Sequence, residues 1–290
     1  MGPLRRREWP LFRSTAVSLA ADVRLDPLSR DFVWRERRPA RPRRLTAEQL
    51  AAFDARGFVK LERVFSADEI AAVTRAIDPL EAKAEAQLRA AGGRISISDA
   101  DAITFTTHIV RKSPLLRDFA AHPAILDICH DLVGDDVRLY WDQSVYKKSQ
   151  KPQEFPWHQD NGYTFVEPQQ YLTIWLPLVD VDEENGCPWI APGMHRLGTL
   201  AHWVTPIGLK CLEDAPDAVP MPARAGDAIV FSSLTPHRTG PNLRAGTVRK
   251  AYILQYAHDP SVATYRDGRQ AAQDDPERQF KVLSGGRAAT

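Results

Sequence analysis

Phe155-Pro156-Trp157-His158-Gln159-Asp160, followed much later by Thr235-Pro236-His237, is the part of the sequence that decides the fold and its chemistry. Side chains at positions i and i+2 of a β-strand project from the same face, so His158 and Asp160 would present an imidazole and a carboxylate together. His237 would complete a two-histidine, one-carboxylate facial triad, which holds non-haem Fe(II) and leaves coordination positions open. The pattern predicts an oxygenase site.

The sequence around this stretch predicts a β-rich core. From Val137 onward, short β-branched and aromatic runs alternate with Pro, Gly, Asn and Asp, a texture typical of an antiparallel sandwich or barrel. The triad residues fall at the ends of these runs, where jelly-roll proteins place metal sites. The predicted strands are 138–147, 171–179, 187–191, 227–232 and 248–256.

The sequence before this core predicts helices. Thr46 and Ser66 each begin a capping-box pattern, in which Ser or Thr is followed three residues later by Glu or Gln. Pro114 and Pro123 suit the first turn of a helix, where the missing N–H costs least. We therefore expect an α+β protein that is mainly β, with a jelly-roll, cupin-like core and N-terminal flanking helices.

The chain is expected to form one catalytic domain with polar ends. Its 290 residues, 43% of them hydrophobic, can bury a substantial core. The N-terminal region is rich in Arg and Pro, and either stays solvated and partly disordered, or folds over the domain or meets an anionic substrate. The expected parts are a basic arm (1–44), the domain (45–265, mostly helical over 45–135, with core strands over 136–260) and a polar, partly flexible tail (266–290).

Charge and cysteine content limit the partners and the compartment. A net charge of +1 gives no general attraction to nucleic acid, and no run of about 18 apolar residues predicts a membrane span. No CxxC pair occurs among the three cysteines, Cys129, Cys187 and Cys211. Their odd number argues against a disulfide framework. We expect a cytoplasmic protein with neither nucleic-acid nor membrane partners.

Several blocks of the sequence, taken in order, resemble the phytanoyl-CoA dioxygenase family over roughly residues 45–260. They are His158-Gln159-Asp160, the run NGCPWIAPGMHR at 185–196, Gly226-Asp227, the run HRTGPN at 237–242 and Arg249-Lys250. The resemblance implies a double-stranded β-helix and an oxygenase that depends on Fe(II) and 2-oxoglutarate and uses O2. It also implies that His158, Asp160 and His237 bind the iron.

The resemblance further implies which residues bind 2-oxoglutarate. Arg249, twelve positions after His237, matches the arginine that binds the distal carboxylate, for which a guanidinium can form two parallel charge-assisted bonds. Thr239 matches a hydroxyl that assists the same carboxylate, and Trp175 matches an aromatic wall of the pocket. Arg244 is the alternative to Arg249 if the intervening loop is shifted in register.

A second group of candidates is less closely determined by sequence. Gln143 and Tyr146 lie on the strand before the metal strand and must face opposite sides, so either could reach the cofactor pocket. His195 lies in a Pro-Gly-Met-His-Arg run that resembles the family's structural turn and is expected outside the iron's ligands. The candidates for the substrate rim are Asn161, Tyr163, Phe165, Trp189 and Trp203.

The implied reaction is hydroxylation of an unactivated C–H bond of a small molecule, with release of succinate and CO2. Retention of Asp160 favours hydroxylation over halogenation, because related halogenases lack this carboxylate. A cupin-like metal-dependent isomerase or hydrolase, or a non-catalytic jelly-roll binding protein, would be compatible with the same triad. The sequence leaves open the substrate, which could be anionic or carrier-bound, the choice between hydroxylation and desaturation, and the oligomeric state.

Overall fold

Helices precede the β-rich half of the chain, as predicted, in a computed structural model that describes residues 23–37 and 39–289. Both capping boxes are present, with the hydroxyls of Thr46 and Ser66 accepting from the backbone N–H three residues later. The helices are α1 (Ala47–Arg56), α2 (Ala67–Ala90), α3 (Pro114–Ala120) and α4 (Pro123–Leu132), with 3₁₀ turns at Ile109–Arg111, Asp160–Gly162 and Met194–Leu197. None of these described helices is long and apolar enough to cross a membrane.

The five predicted strands are all present, with ends that differ by up to two residues from the prediction. Many short strands surround them. The strands are β1 (Phe58–Leu61), β2 (Arg94–Ile95), β3 (Ser98–Asp99), β4 (Ile103–Thr107), β5 (Val137–Lys148), β6 (Phe155–His158), β7 (Phe165–Glu167), β8 (Leu172–Pro177), β9 (Pro188–Ile190), β10 (Trp203–Thr205), β11 (Gly208–Lys210), β12 (Val219–Pro220), β13 (Ala228–Ser232), β14 (His237–Thr239), β15 (Val248–His258), β16 (Val262–Thr264), β17 (Gln270–Ala272), β18 (Lys281–Ser284) and β19 (Arg287–Ala288).

Two antiparallel sheets form the jelly roll. The major sheet has the order β1-β13-β8-β15-β5-β4-β3-β2, and the minor sheet has the order β12-β9-β14-β6. Core strands that pair are far apart in the sequence, as β13 beside β8 and β14 beside β6 show. The mainly β fold class is therefore confirmed, with the double-stranded β-helix that was expected.

The two faces of the major sheet have different surroundings. On β8, Ile174 and Leu176 pack into the large core that the helices share, whereas Trp175 packs on the opposite face. This alternation follows from the period of two along a strand. The helices therefore cover one face, and the other face remains available for the space between the sheets.

A buried polar seam attaches α2 to the major sheet. The ammonium of Lys148 lies 2.8 Å from Glu81 Oε1 and 2.7 Å from Glu85 Oε2. Glu85 also accepts hydrogen bonds from Thr104 Oγ1 and the backbone N–H of Asp101. Lys148 is thus the countercharge of Glu81, and it shares Glu85 with Arg89, whose exposed guanidinium lies 2.9 Å from Glu85 Oε1.

The described part of the N-terminal region lies against the domain. Leu25 forms a β-bridge with Leu200, the Ser29 hydroxyl donates to Gln169, and the indole of Trp34 meets the ring of His195 edge-on. These contacts favour an arm that folds over the domain rather than a solvated one. The expectation for residues 1–22 and 38 falls outside the described residues.

The C-terminal region differs from the flexible tail that its polar sequence suggests. Val282 and Leu283 are buried in the main core, and β18 pairs with the first residues of β5 in the major sheet. Two apolar residues among many polar ones are a weak signal in sequence, but they extend an existing core. The polar C-terminal segment therefore completes the sheet.

Replacing Lys148 by Met should destabilise the protein strongly, because it leaves the buried Glu81 without a countercharge and leaves Glu85 with the exposed Arg89 alone. Loss of one partner of a buried ion pair costs about 3–5 kcal/mol of unfolding free energy. The control is Lys151→Met, since Lys151 has an exposed side chain and pairs only loosely with Asp99 at 3.4 Å; its cost should stay below about 1 kcal/mol. Urea unfolding of both variants measures the difference, and equal losses would contradict a structural role for the seam.

Candidate metal centre

The three predicted metal ligands meet between the sheets. His158 and His237 are register partners on the antiparallel strands β6 and β14, and their ring centroids lie 4.1 Å apart. The Nε2 atoms of His158 and His237 lie 3.8 and 3.9 Å from Oδ1 of Asp160. Asp160 opens a 3₁₀ turn after β6 rather than continuing the strand, so the turn, and not strand alternation, brings its carboxylate to the histidines.

Both histidines present the nitrogen that a metal needs. His158 Nδ1 lies 2.8 Å from the carbonyl oxygen of Pro156, and His237 Nδ1 lies 3.0 Å from that of Thr235. A carbonyl oxygen only accepts, so each Nδ1 carries the proton and each Nε2 keeps a free lone pair. Burial lowers the pKa of His158 well below its usual value, which keeps this imidazole in the neutral form that binds metals.

Asp160 is oriented by a hydroxyl that the sequence analysis did not identify. The Thr173 hydroxyl donates to Asp160 Oδ2 at 2.5 Å, which leaves Oδ1 directed at the two histidines. Gln255 on β15 is the register partner of Thr173, and its amide donates to the Thr173 oxygen at 3.4 Å. The signal that could have found Thr173 is its position two residues before Trp175, on the same face of β8.

Arg249 lies in the same pocket with unused donors. Only 1% of the residue is exposed, and its Nη1 donates to the carbonyl of Val145 at 3.2 Å. Nε and Nη2 have no hydrogen-bond partner among the described residues. Burial lowers the pKa of Arg249 to about 9, so the guanidinium still carries its charge at neutral pH. A buried cation with free donors in a cavity is suited to an anion.

The structure brings together all predicted metal- and cofactor-binding residues except one. The triad, Arg249, Thr239, Trp175 and Gln143 line a single cavity of about 40 Å³. The sequence analysis missed further members of the wall, which are Ile103, Phe105, Val145, Phe155, Thr173, Phe231 and Ile253.

Tyr146 is the exception, and its assignment to the cofactor pocket is wrong. Its hydroxyl donates to Asp78 on α2 at 2.7 Å, on the face of the major sheet that the helices cover. It lies three positions after Gln143, so the two side chains leave β5 on opposite sides. Arg244, the alternative to Arg249, forms ion pairs with Asp182 and Glu184 outside the pocket.

His195 and the candidates for the substrate rim are distributed over different environments. His195 is buried and hydrogen-bonds the carbonyl of Asp54, away from the triad. Asn161 bonds Thr199 and the backbone of Val166, and Trp189 packs against the guanidinium of Arg238. Tyr163 is the rim candidate with a contact to the metal site, because its ring lies edge-on to His158 at 5.5 Å.

Comparisons with known proteins find similarity over much of the chain. The sequence profile described as "Phytanoyl-CoA dioxygenase (PhyH)" matches residues 53–251. An ectoine dioxygenase from Sphingopyxis alaskensis is 30% identical over 198 residues, which cover 67% of this chain and 59% of that enzyme. The chain thus spans less than two thirds of that relative's length.

Solved structures extend the similarity to the fold. The structure of EctD from S. alaskensis with 2-oxoglutarate and 5-hydroxyectoine has a TM-score of 0.61 and 27% identity, covering 83% of this chain and 85% of that one. The 2-oxoglutarate-dependent carbocyclase SnoK from nogalamycin biosynthesis has a TM-score of 0.64 and 23% identity, covering 83% and 97%. At that identity, the likeness to SnoK concerns the fold alone.

Replacing Thr173 by Val should weaken metal binding, because the isosteric side chain no longer holds Asp160 Oδ2. Loss of such a supporting hydrogen bond typically lowers metal affinity about 10–100-fold. Thr173→Ser retains the hydroxyl and should stay near wild type. Calorimetric titration of Fe(II) under anaerobic conditions measures the affinities, and equal affinities for the Val and Ser variants would show that the hydroxyl does not orient the ligand.

Proposed function

This chain belongs to the phytanoyl-CoA dioxygenase family, and on that premise we propose that it is an Fe(II)- and 2-oxoglutarate-dependent dioxygenase. Its reaction would hydroxylate a C–H bond of a small molecule with release of succinate and CO2. The observation that carries the proposal is a buried arginine with two free donors in the same cavity as the facial triad. That combination would let one cavity bind a metal ion and a dicarboxylate at the same time.

The metal would be held by His158, Asp160 and His237. Two neutral imidazoles and one carboxylate on one side of a cavity fit Fe(II) and leave the opposite coordination positions for other ligands. Iron and 2-oxoglutarate, when bound, supply the oxidation of the substrate by O2. Asp160 would occupy the position that a halide takes in related halogenases, which supports hydroxylation.

Arg249 would bind the far carboxylate of 2-oxoglutarate. Lys147, its register partner on β5, is also buried, but its ammonium already donates to the carbonyls of Gln153, Thr239 and Gly240 at 2.7–3.0 Å. That lysine is therefore saturated, and it fixes the backbone of Thr239 at the pocket wall. Trp175 lies under the guanidinium at 5.4 Å and holds it in place.

The competing interpretations do not account for these features. A cupin-like isomerase or hydrolase could use the triad with another metal, but it would not need a buried guanidinium with free donors. A non-catalytic binding protein would not need both histidines fixed with Nε2 directed at one carboxylate. The substrate class is proposed to be a small molecule, in keeping with the ectoine compounds in the names of the relatives.

Anaerobic titration of Fe(II) and 2-oxoglutarate should produce the visible charge-transfer band of the iron chelate. Arg249→Gln should weaken 2-oxoglutarate binding about 10–100-fold, because charge-assisted hydrogen bonds are lost, while iron affinity remains. Arg244→Gln is the matched control, since Arg244 lies outside the pocket, and it should behave as wild type. Asp160→Ala should lose iron binding and the band.

Two results of this titration would contradict the proposal. Iron binding without any band would reject 2-oxoglutarate as the cosubstrate and favour the cupin-like alternative. An unchanged 2-oxoglutarate affinity in Arg249→Gln would show that another residue binds the carboxylate.

A further inference from the structure

We propose that a second cavity, of about 270 Å³ and separated from the metal pocket by Tyr163, is the chamber for the body of the substrate, and that it accepts a small molecule of no net charge with an apolar ring. This inference rests on the proposed function. It specifies a substrate class for the same iron site and argues against a carrier-bound or polyanionic substrate.

The location of the cavity connects it to the metal centre. One wall is the segment that directly follows the metal ligand Asp160. Three other parts of the chain close it: the N-terminal segment, the start of the β10–β11 hairpin region and the turn between β16 and β17. The lining segments are 26–28, 161–165, 201–202 and 264–266.

The sizes of the two cavities assign different roles to them. The metal pocket measures about 40 Å³ and contains the triad and Arg249, so 2-oxoglutarate and iron would use the space there. The second cavity, at about 270 Å³, approaches the range of about 300–1,000 Å³ that small-molecule sites usually have. A substrate with its reactive carbon near the iron therefore has space on this side.

Tyr163 forms the boundary between the two cavities. Its ring lies edge-on to His158 at 5.5 Å and parallel to Phe155 at 6.4 Å, both of which line the metal pocket. The same residue lines the second cavity. One hydrogen bond, from the backbone N–H of Leu209 to the tyrosine oxygen at 3.0 Å, holds the ring from the hairpin side. The two linings share no residue, so a substrate held in the second cavity would reach the iron only with this side chain displaced.

The walls of the chamber indicate what it binds. Leu28, Phe165 and Tyr265 provide apolar surface. Asn161 and His202 already have partners within the protein: Asn161 bonds Thr199 and Val166, and His202 bonds Leu200 and the backbone N–H of Gln159.

The charged residues of the lining are one acid, Asp26, and one base, Arg266. Their opposite charges cancel in the sum, so the chamber has no excess positive charge to attract the phosphates of a coenzyme A ester. The Thr264 oxygen accepts a hydrogen bond from Gln270 Nε2 at 3.3 Å, so its hydroxyl proton can be donated to a polar substituent of a neutral ring. The chemistry of the wall thus matches a compact, uncharged molecule.

The test uses indole as a neutral ring probe and adenosine 3′,5′-bisphosphate as the anionic part of coenzyme A. Both are titrated anaerobically into the protein loaded with Fe(II) and 2-oxoglutarate, with calorimetry for binding and the visible band for proximity to the iron. We expect indole to bind and to perturb the band. We expect the bisphosphate to do neither.

Two substitutions on one segment localise the effect. Ala201→Phe places a ring in the cavity and should weaken indole binding at least about tenfold. Val204→Phe is the matched control, because Val204 is 72% exposed and lies outside the lining; it should bind indole as wild type does. Leu28→Phe, on a half-exposed wall residue, provides a second filling variant if Ala201→Phe fails to fold.

Each contrary outcome has a distinct meaning. Absence of the band in every protein rejects the proposed function itself. A normal band with no response to indole, or a response that Ala201→Phe and Leu28→Phe leave unchanged, overturns the chamber. Binding of the bisphosphate that Ala201→Phe abolishes would overturn the assignment to uncharged molecules and indicate a carrier-bound substrate.

Discussion

The pairing of β6 with β14 is the constraint on which the site depends. It sets His158 opposite His237 in one register, and a shift by one residue would turn one imidazole to the other side of the sheet. The backbone also fixes the rings, because each histidine donates Nδ1–H to the carbonyl two residues earlier in its own chain segment. Strand pairing and these local hydrogen bonds therefore determine the position and the tautomer of the two predicted histidine ligands.

A second constraint concerns the two cations buried between the sheets. Lys147 and Arg249 are register partners, and burial without compensation is costly for both. Three backbone carbonyls satisfy the lysine, whereas the arginine keeps two donors free. Lys147 therefore holds the backbone at the end of β14, whereas Arg249 keeps donors available for a ligand. That asymmetry is the physical argument for an anionic cosubstrate next to the metal.

The architecture also explains why the site has two compartments. The helices cover one face of the major sheet, and the other face, with the minor sheet, encloses the small metal pocket. The larger cavity lies outside this enclosure, between the segment after Asp160 and the N-terminal segment. The N-terminal residues therefore contribute to the site through their position over the domain, although their sequence has no recognisable motif.

The helices, the five core strands, the candidate triad and Arg249 could be predicted from the sequence. Capping boxes and strand alternation are local patterns, and the blocks around His158, His237 and Arg249 are specific in order and wording, so both could be identified without coordinates. The tertiary structure decided the rest. Only it could place Asp160 in a turn, pair Thr173 with Asp160, direct Tyr146 to the helices, and assemble a cavity from four separate segments. The physical reason is that these features depend on which side chains meet across the sheets, and contacts between residues far apart in sequence leave no periodic signal.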